Sequence, residues 1–109
     1  MSEISELIKV LQTFRDERDW AQFHKPKDLA LAINVEAGEL LEQFLWKQDE
    51  EADKTKIKEE LADVFAFSLL MAHHYGFDVK EIILQKIEQN RLKYPVEKAK
   101  GTAKKYTEL

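Results

Sequence analysis

Three glycines and two prolines are all that this 109-residue chain has to interrupt a helix with, and between them run long stretches of helical periodicity. That combination points to an all-α fold. The first stretch, about Ser2 to Arg18, spaces Ile4, Leu7, Ile8, Leu11 and Phe14 along one face behind an N-cap at Ser2. A connector from Asp19 to Pro26 breaks the period and holds Trp20, Phe23 and His24, aromatic groups that a plain loop does not need. The second helix is expected from Lys27 and Asp28 to about Lys47, with Asp28 near the end that favours negative charge. A charged, exposed loop follows to Lys54. The third helix is expected from about Thr55 to Tyr75, with Gly76 as its stop and Phe77 available for the accompanying apolar contact. Asp78 and Glu81 have the layout of a capping box opening a fourth helix, which Pro95 ends. The expected architecture is a four-helix, bundle-like subunit, with residues 1–95 as the helical domain and residues 96–109 as an irregular basic tail.

The second helix is apolar on nearly every side. Leu29, Ile33, Leu40 and Phe44 lie on one side, Leu41 and Leu45 beyond them, and Leu31 and Val35 opposite. A helix of that kind is buried all round. One small subunit does not easily supply so much cover, so the pattern predicts a homo-oligomer.

Charge and composition remove several classes of function. Without cysteine there is neither a disulfide framework nor a zinc–thiolate site. Acidic residues outnumber basic ones by 21 to 17, and the imbalance is uneven. Residues 91–109 carry six basic groups against two acidic ones, which leaves 11 against 19 in residues 1–90. An acidic body is a poor match to a nucleic-acid polymer, although a basic tail could hold a smaller polyanion. No apolar run approaches the roughly 18 residues of a membrane span, and the N-terminus is acidic where a signal peptide would be basic and then apolar. The expected location is cytoplasmic, with no membrane partner.

The carboxylates of the two apolar helices carry the chemistry. Glu36 and Glu39 stand three residues apart on one face of the second helix, bordered by Leu29 and Leu40 on one side and by Val35 and Trp46 on the other. Glu60 and Asp63 repeat the arrangement on the third, near Val64 and Leu70, with Phe67 and His74 further along the stripe. A single acidic pair of this spacing is ordinarily a solvated face. Two pairs on adjacent, otherwise buried helices would crowd four like charges where solvation is poor, and a cation or bound protons must then compensate. Oxygen donors alone point to Mg²⁺, with Mn²⁺ as a substitute, and Mg²⁺ sites of this kind commonly share their ion with substrate phosphates. Glu42 and Glu59 are near enough to be extra ligands or a water-orienting base.

These residues resemble a known family. Glu36-Ala-Gly-Glu39, twenty residues, then Glu60-Leu-Ala-Asp63 has the form E-x-x-E, spacer, E-x-x-D of the MazG-like all-α nucleoside triphosphate pyrophosphohydrolases. The flanking segments resemble the dCTP pyrophosphatase branch: Glu17-Arg-Asp-Trp20-Ala-Gln-Phe-His24-Lys-Pro-Lys-Asp-Leu29, Phe44-Leu-Trp46-Lys47, Asn90-Arg-Leu-Lys-Tyr94-Pro95 and Lys105-Tyr106-Thr-Glu-Leu109. The resemblance implies Mg²⁺-dependent hydrolysis between the α and β phosphates of dCTP or a modified dCTP, giving the monophosphate and pyrophosphate, as house-cleaning of the nucleotide pool. It implies Glu36, Glu39, Glu60 and Asp63 as metal ligands, Trp20, His24 and Trp46 around the base, and Asn90, Lys93 and Tyr94 near the sugar or phosphates. It also implies a dimer or tetramer. Phe67 departs from those relatives that carry a tyrosine there, and phenylalanine cannot donate a hydrogen bond to a substrate.

The residues agree with hydrolysis by water, without a covalent intermediate, with Glu39 or Glu42 as the base. Arg91, Lys93, Lys98, Lys104 and Lys105 could offset polyphosphate charge, or the tail could be merely solvated. Trp20 and Trp46 read alternatively as core or interface residues, His24 as a cap of the second helix, and His73 and His74 as cations favoured by a helix C-terminus. Two rival functions remain at this point. One is a hydrolase of the same fold acting on dUTP or phosphoribosyl-ATP; the other is a non-catalytic helical module with a structural cation.

Overall fold

A computed structural model describes residues 2–109, and among them every regular element is helical. The helices are α1 (Glu3–Glu17), α2 (Pro26–Glu42), α3 (Lys54–His74), α4 (Val79–Lys93) and the single turn α5 (Val96–Ala99), with 3₁₀ turns at Ala21–Phe23, Asp49–Glu51 and Tyr106–Glu108. They divide into two compact units, Met1–Gly76 and Phe77–Leu109.

In the first unit α2 and α3 form the principal pair and α1 packs on α3. The core between them includes Ile8, Leu70, Ala72 and Leu29, the last only 1% exposed. Ser2 caps α1 as expected, its hydroxyl accepting from the Ser5 N–H at 3.1 Å. The chain leaves α1 through Asp19, whose φ of 55° is a left-handed conformation that aspartate tolerates better than most residues. Lys25 is extended, as a residue before proline must be, and Pro26 opens α2 where its missing N–H costs nothing.

The second helix ends five residues before the expected Lys47. Its last turn tightens: the N–H groups of Phe44, Leu45 and Lys47 donate three residues back, to Leu41, Glu42 and Phe44, and Trp46 takes a φ of 59°. Phe44, Leu45 and Trp46 therefore leave the stripe on which helical spacing would put them. Leu31 and Val35, on the side of α2 away from Leu29, are each 55% exposed. Within the first unit, then, only part of the apolar circumference of α2 is covered.

Asp53 caps α3 from within the charged loop, accepting from Thr55 N–H at 2.9 Å and Lys56 N–H at 3.4 Å. At the other end Gly76 has φ +70°, and its N–H donates to His73 O at 3.0 Å. This is the left-handed stop that glycine supplies without a Cβ penalty.

In the second unit Asp78 caps α4 through the Glu81 N–H at 2.9 Å. The reciprocal half of the capping box is replaced by a different contact: the Glu81 carboxylate accepts from Gln85 Nε2 at 3.1 Å. The tail is less irregular than its lack of period suggests. After Pro95 the chain makes the turn α5, and the Tyr106 ring stands edge-on to Tyr94 at 6.0 Å with Lys93 Nζ 4.9 Å from its centroid. Aromatic and cation–π contacts thus tie residues 106–108 to the end of α4.

Candidate metal centre and adjoining pocket

The packing of α2 on α3 brings Glu36, Glu60 and Asp63 together, each offering a carboxylate oxygen within 4.8 Å of the others. Glu60 and Asp63 share a face because they are one helical turn apart. Glu36 and Glu60 are half-buried, and Oε2 of each is cut off from solvent with no hydrogen-bond partner. The Glu36 carboxyl is pushed up to about 7, first by burial and then by the carboxylates of Glu39, Glu60 and Asp63. Glu60 is raised too, mainly by the Glu39 carboxylate and then by burial. Glu39 therefore belongs to the same charged group, although the three tightly converging oxygens are those of its neighbours. Glu42, the last residue of α2, and Glu59 are exposed and lie outside that convergence.

The donors fit a hard divalent cation. All are oxygens, two are orphaned and shielded, and their mutual repulsion is what a cation relieves. Without one, Glu36 keeps its proton until near neutral pH.

Asp63 also forms part of the wall of a cavity of about 320 Å³, shared with Arg15, Trp20, His24, Phe67 and the aliphatic groups of Leu11, Ala66 and Leu70. That size lies at the lower end of ligand pockets, roughly 300–1,000 Å³. Larger depressions along α1 (about 580 Å³) and α3 (about 420 Å³) contain none of the converging carboxylates. The connector builds one wall of the cavity. Trp20 N–H donates to Arg15 O at 3.0 Å, and its ring meets Phe14 edge-on at 5.8 Å. One 3₁₀ turn later His24 stands edge-on to Phe67 at 5.9 Å. His24 does not cap α2; its Nδ1 is buried without a partner. Burial, and then the Arg15 charge, hold its pKa below the ordinary 6.5 against the opposing pull of Asp28. At neutral pH the imidazole is uncharged.

Trp20 and His24 are thus brought together beside Asp63, whereas Trp46 is not with them. It is 97% exposed and lines a separate depression with Leu41, Phe44 and Leu45. Asn90, Lys93 and Tyr94 fall in the second unit at the end of α4, where the Tyr94 N–H donates to Asn90 O at 2.8 Å. His73 meets Gln12 of α1 side chain to side chain at 2.7 Å, and His74 stands edge-on to Tyr75. Sequence reasoning missed Arg15. The available signal was its place four residues after Leu11, on the face of α1 that turns inward.

Comparison with known proteins shows the family. The family model described as MazG-like matches residues 31–109. The chain is 37% identical to dCTP pyrophosphatase 1 of Bos taurus, over 97% of this chain and 68% of that protein. It is 36% identical to dCTP pyrophosphatase 1 of Homo sapiens, over 97% and 67%. Among solved structures, a pyrophosphatase from Archaeoglobus fulgidus superimposes with a TM-score of 0.81 at 37% identity, covering 87% of this chain and 94% of that one. The chain belongs to the MazG-like family.

Proposed function

We propose that this protein is a Mg²⁺-dependent pyrophosphohydrolase, able to use Mn²⁺, that cleaves dCTP or a base-modified dCTP between the α and β phosphates. The products are the nucleoside monophosphate and pyrophosphate. Its family and its identity to the dCTP pyrophosphatases make it an enzyme of nucleotide pyrophosphate hydrolysis. The observation that carries the finer reading is the convergence of Glu36, Glu60 and Asp63 within 4.8 Å, with Asp63 shared by the adjoining cavity.

Glu36, Glu39, Glu60 and Asp63 would hold the metal, which supplies positive charge against the polyphosphate and acidifies a bound water. Glu39, beside the cluster, or Glu42, at the end of α2, takes the proton as water oxygen bonds to phosphorus and the phosphoanhydride bond breaks. Trp20 and His24 flank the base. Asn90, Lys93 and Tyr94 serve the sugar and phosphates, and residues 96–109 add basic charge to the helical catalytic domain of residues 1–95. The fully exposed Trp46 and the open side of α2 support a homo-oligomer, dimer or tetramer, in which Trp46 reaches a base pocket. In this reading the reaction keeps the cytoplasmic nucleotide pool clean. No helix among the described residues is long and apolar enough to cross a membrane.

The test is to incubate purified protein with Mg²⁺ and a panel of triphosphates, including dUTP, and to resolve the products. The expected result is dCMP with pyrophosphate in equal amounts. Release of orthophosphate with a diphosphate, or no turnover of any nucleotide, overturns the reading.

A further inference from the structure

The cavity beside the acidic cluster contains one permanent charge that the roles above do not use. Arg15 lines it with a side chain only 19% exposed, and its Nε donates to Asp16 Oδ1 at 2.9 Å. That contact fixes the plane of the guanidinium and leaves its two terminal amino groups with no hydrogen-bond acceptor among the described residues. Nor is Arg15 the counter-ion of the metal site: no ion pair joins it to Asp63, although both line the same cavity. Phe14, Trp20 and Phe67 give the cavity flat apolar walls, and Leu70 an aliphatic one, which hold an aromatic ring without distinguishing one pyrimidine from another. The discrimination has to come from the few polar groups.

We propose that Arg15 is a specificity-determining residue for the base, its terminal amino groups donating to the adjacent O2 and N3 of cytosine. The proposal rests on the reading of the site as a pyrophosphohydrolase of cytosine nucleotides. Cytosine presents two acceptors side by side on that edge, and the planar fork of a guanidinium matches such a pair. Uracil and thymine carry an N–H at N3, which Arg15 has no acceptor to meet. A lysine keeps the charge and loses the fork.

The experiment compares kcat/KM for dCTP, dUTP and dTTP in the wild type, Arg15→Lys and Arg15→Gln, with thermal melts as the check on folding. Both variants are expected to lose roughly 10- to 100-fold in the preference for dCTP over dUTP, the range of one bidentate base contact. Lysine does not restore it, and the Mg²⁺ concentration for half-maximal rate stays where it was. An equal loss on all three substrates would make Arg15 a phosphate-binding or structural residue and overturn the proposal, as would an unchanged preference or a wild type without one. A wild type that hydrolyses no nucleotide instead strikes the underlying functional reading.

Discussion

At Glu36, the ordinary value of 4.5 is raised to about 7, and the sign of its linkage to stability follows. Between those values the folded, metal-free protein holds a proton that the unfolded chain has released, so the cluster lowers stability as pH rises through the window, and the loss is complete above it. In the presence of a chelator the melting temperature of the wild type should therefore fall more between pH 5 and pH 8 than that of Glu36→Gln. Equal falls would show that burial and the neighbouring carboxylates do not raise Glu36 as their positions require. Metal competes for the same oxygens, so Mg²⁺ affinity should climb with pH and level off only above about pH 7, which calorimetric titration at several pH values measures. Glu60→Gln and Asp63→Asn should each lower turnover by at least about 100-fold while the far-ultraviolet dichroism stays helical, since even groups behind metal ligands are commonly worth 10- to 100-fold. The carboxylate pairs were legible in the sequence because their spacing on apolar helices conflicts with burial. Arg15 was not, since a lone charge on an amphipathic helix ordinarily reads as solvated and only the packing of α1 on α3 encloses it.

The helix boundaries show which local signals are strong enough to be read from sequence. Ser2 and Asp78 each accept from the first turn of a helix, and Gly76 adopts the positive φ that ends α3, whereas the cap that Asp53 supplies to α3 lay unread in the charged loop. Those features depend on residue chemistry within a few positions, and the expected ends of α1, α3 and α4 fall within a residue or two of the observed ones. The end of α2 carries no such mark. The apolar period runs on through Phe44 and Leu45 with neither glycine nor proline, and it is the left-handed Trp46 that turns the chain. The turn α5 was equally hidden, because four residues are too few to show a period. Gly76→Ala should cost about 1 kcal/mol in chemical denaturation. A new Cβ at Gly76 meets nothing within 4 Å, so the cost comes from backbone conformation alone. Asp53→Ala should cost a similar ~1 kcal/mol through the lost cap. Wild-type stability in either variant would place the helix end elsewhere.

For the molecule as a whole, the proposed function would give the acidic body and basic tail seen in the sequence a common explanation, a polyphosphate with its cation. The apolar circumference of α2 does not find its full cover within the first unit. Leu31, Val35 and Leu41 all remain more than half exposed, which supports the proposed homo-oligomer. Sedimentation should give the mass of a dimer or tetramer, and Leu31→Asp with Val35→Asp should shift it toward the monomer; a monomeric wild type would refute the assembly. At the heart of the proposed function, the converging carboxylates would organise hydrolysis of the pyrophosphate bond of dCTP. Time-resolved ³¹P nuclear magnetic resonance of dCTP with saturating Mg²⁺ tests it directly, using wild type beside an Asp63→Asn variant that melts at the same temperature. Growing pyrophosphate and dCMP resonances are expected with the wild type, and a static dCTP spectrum with the variant. Orthophosphate as the first product, or undiminished turnover by Asp63→Asn, would contradict it.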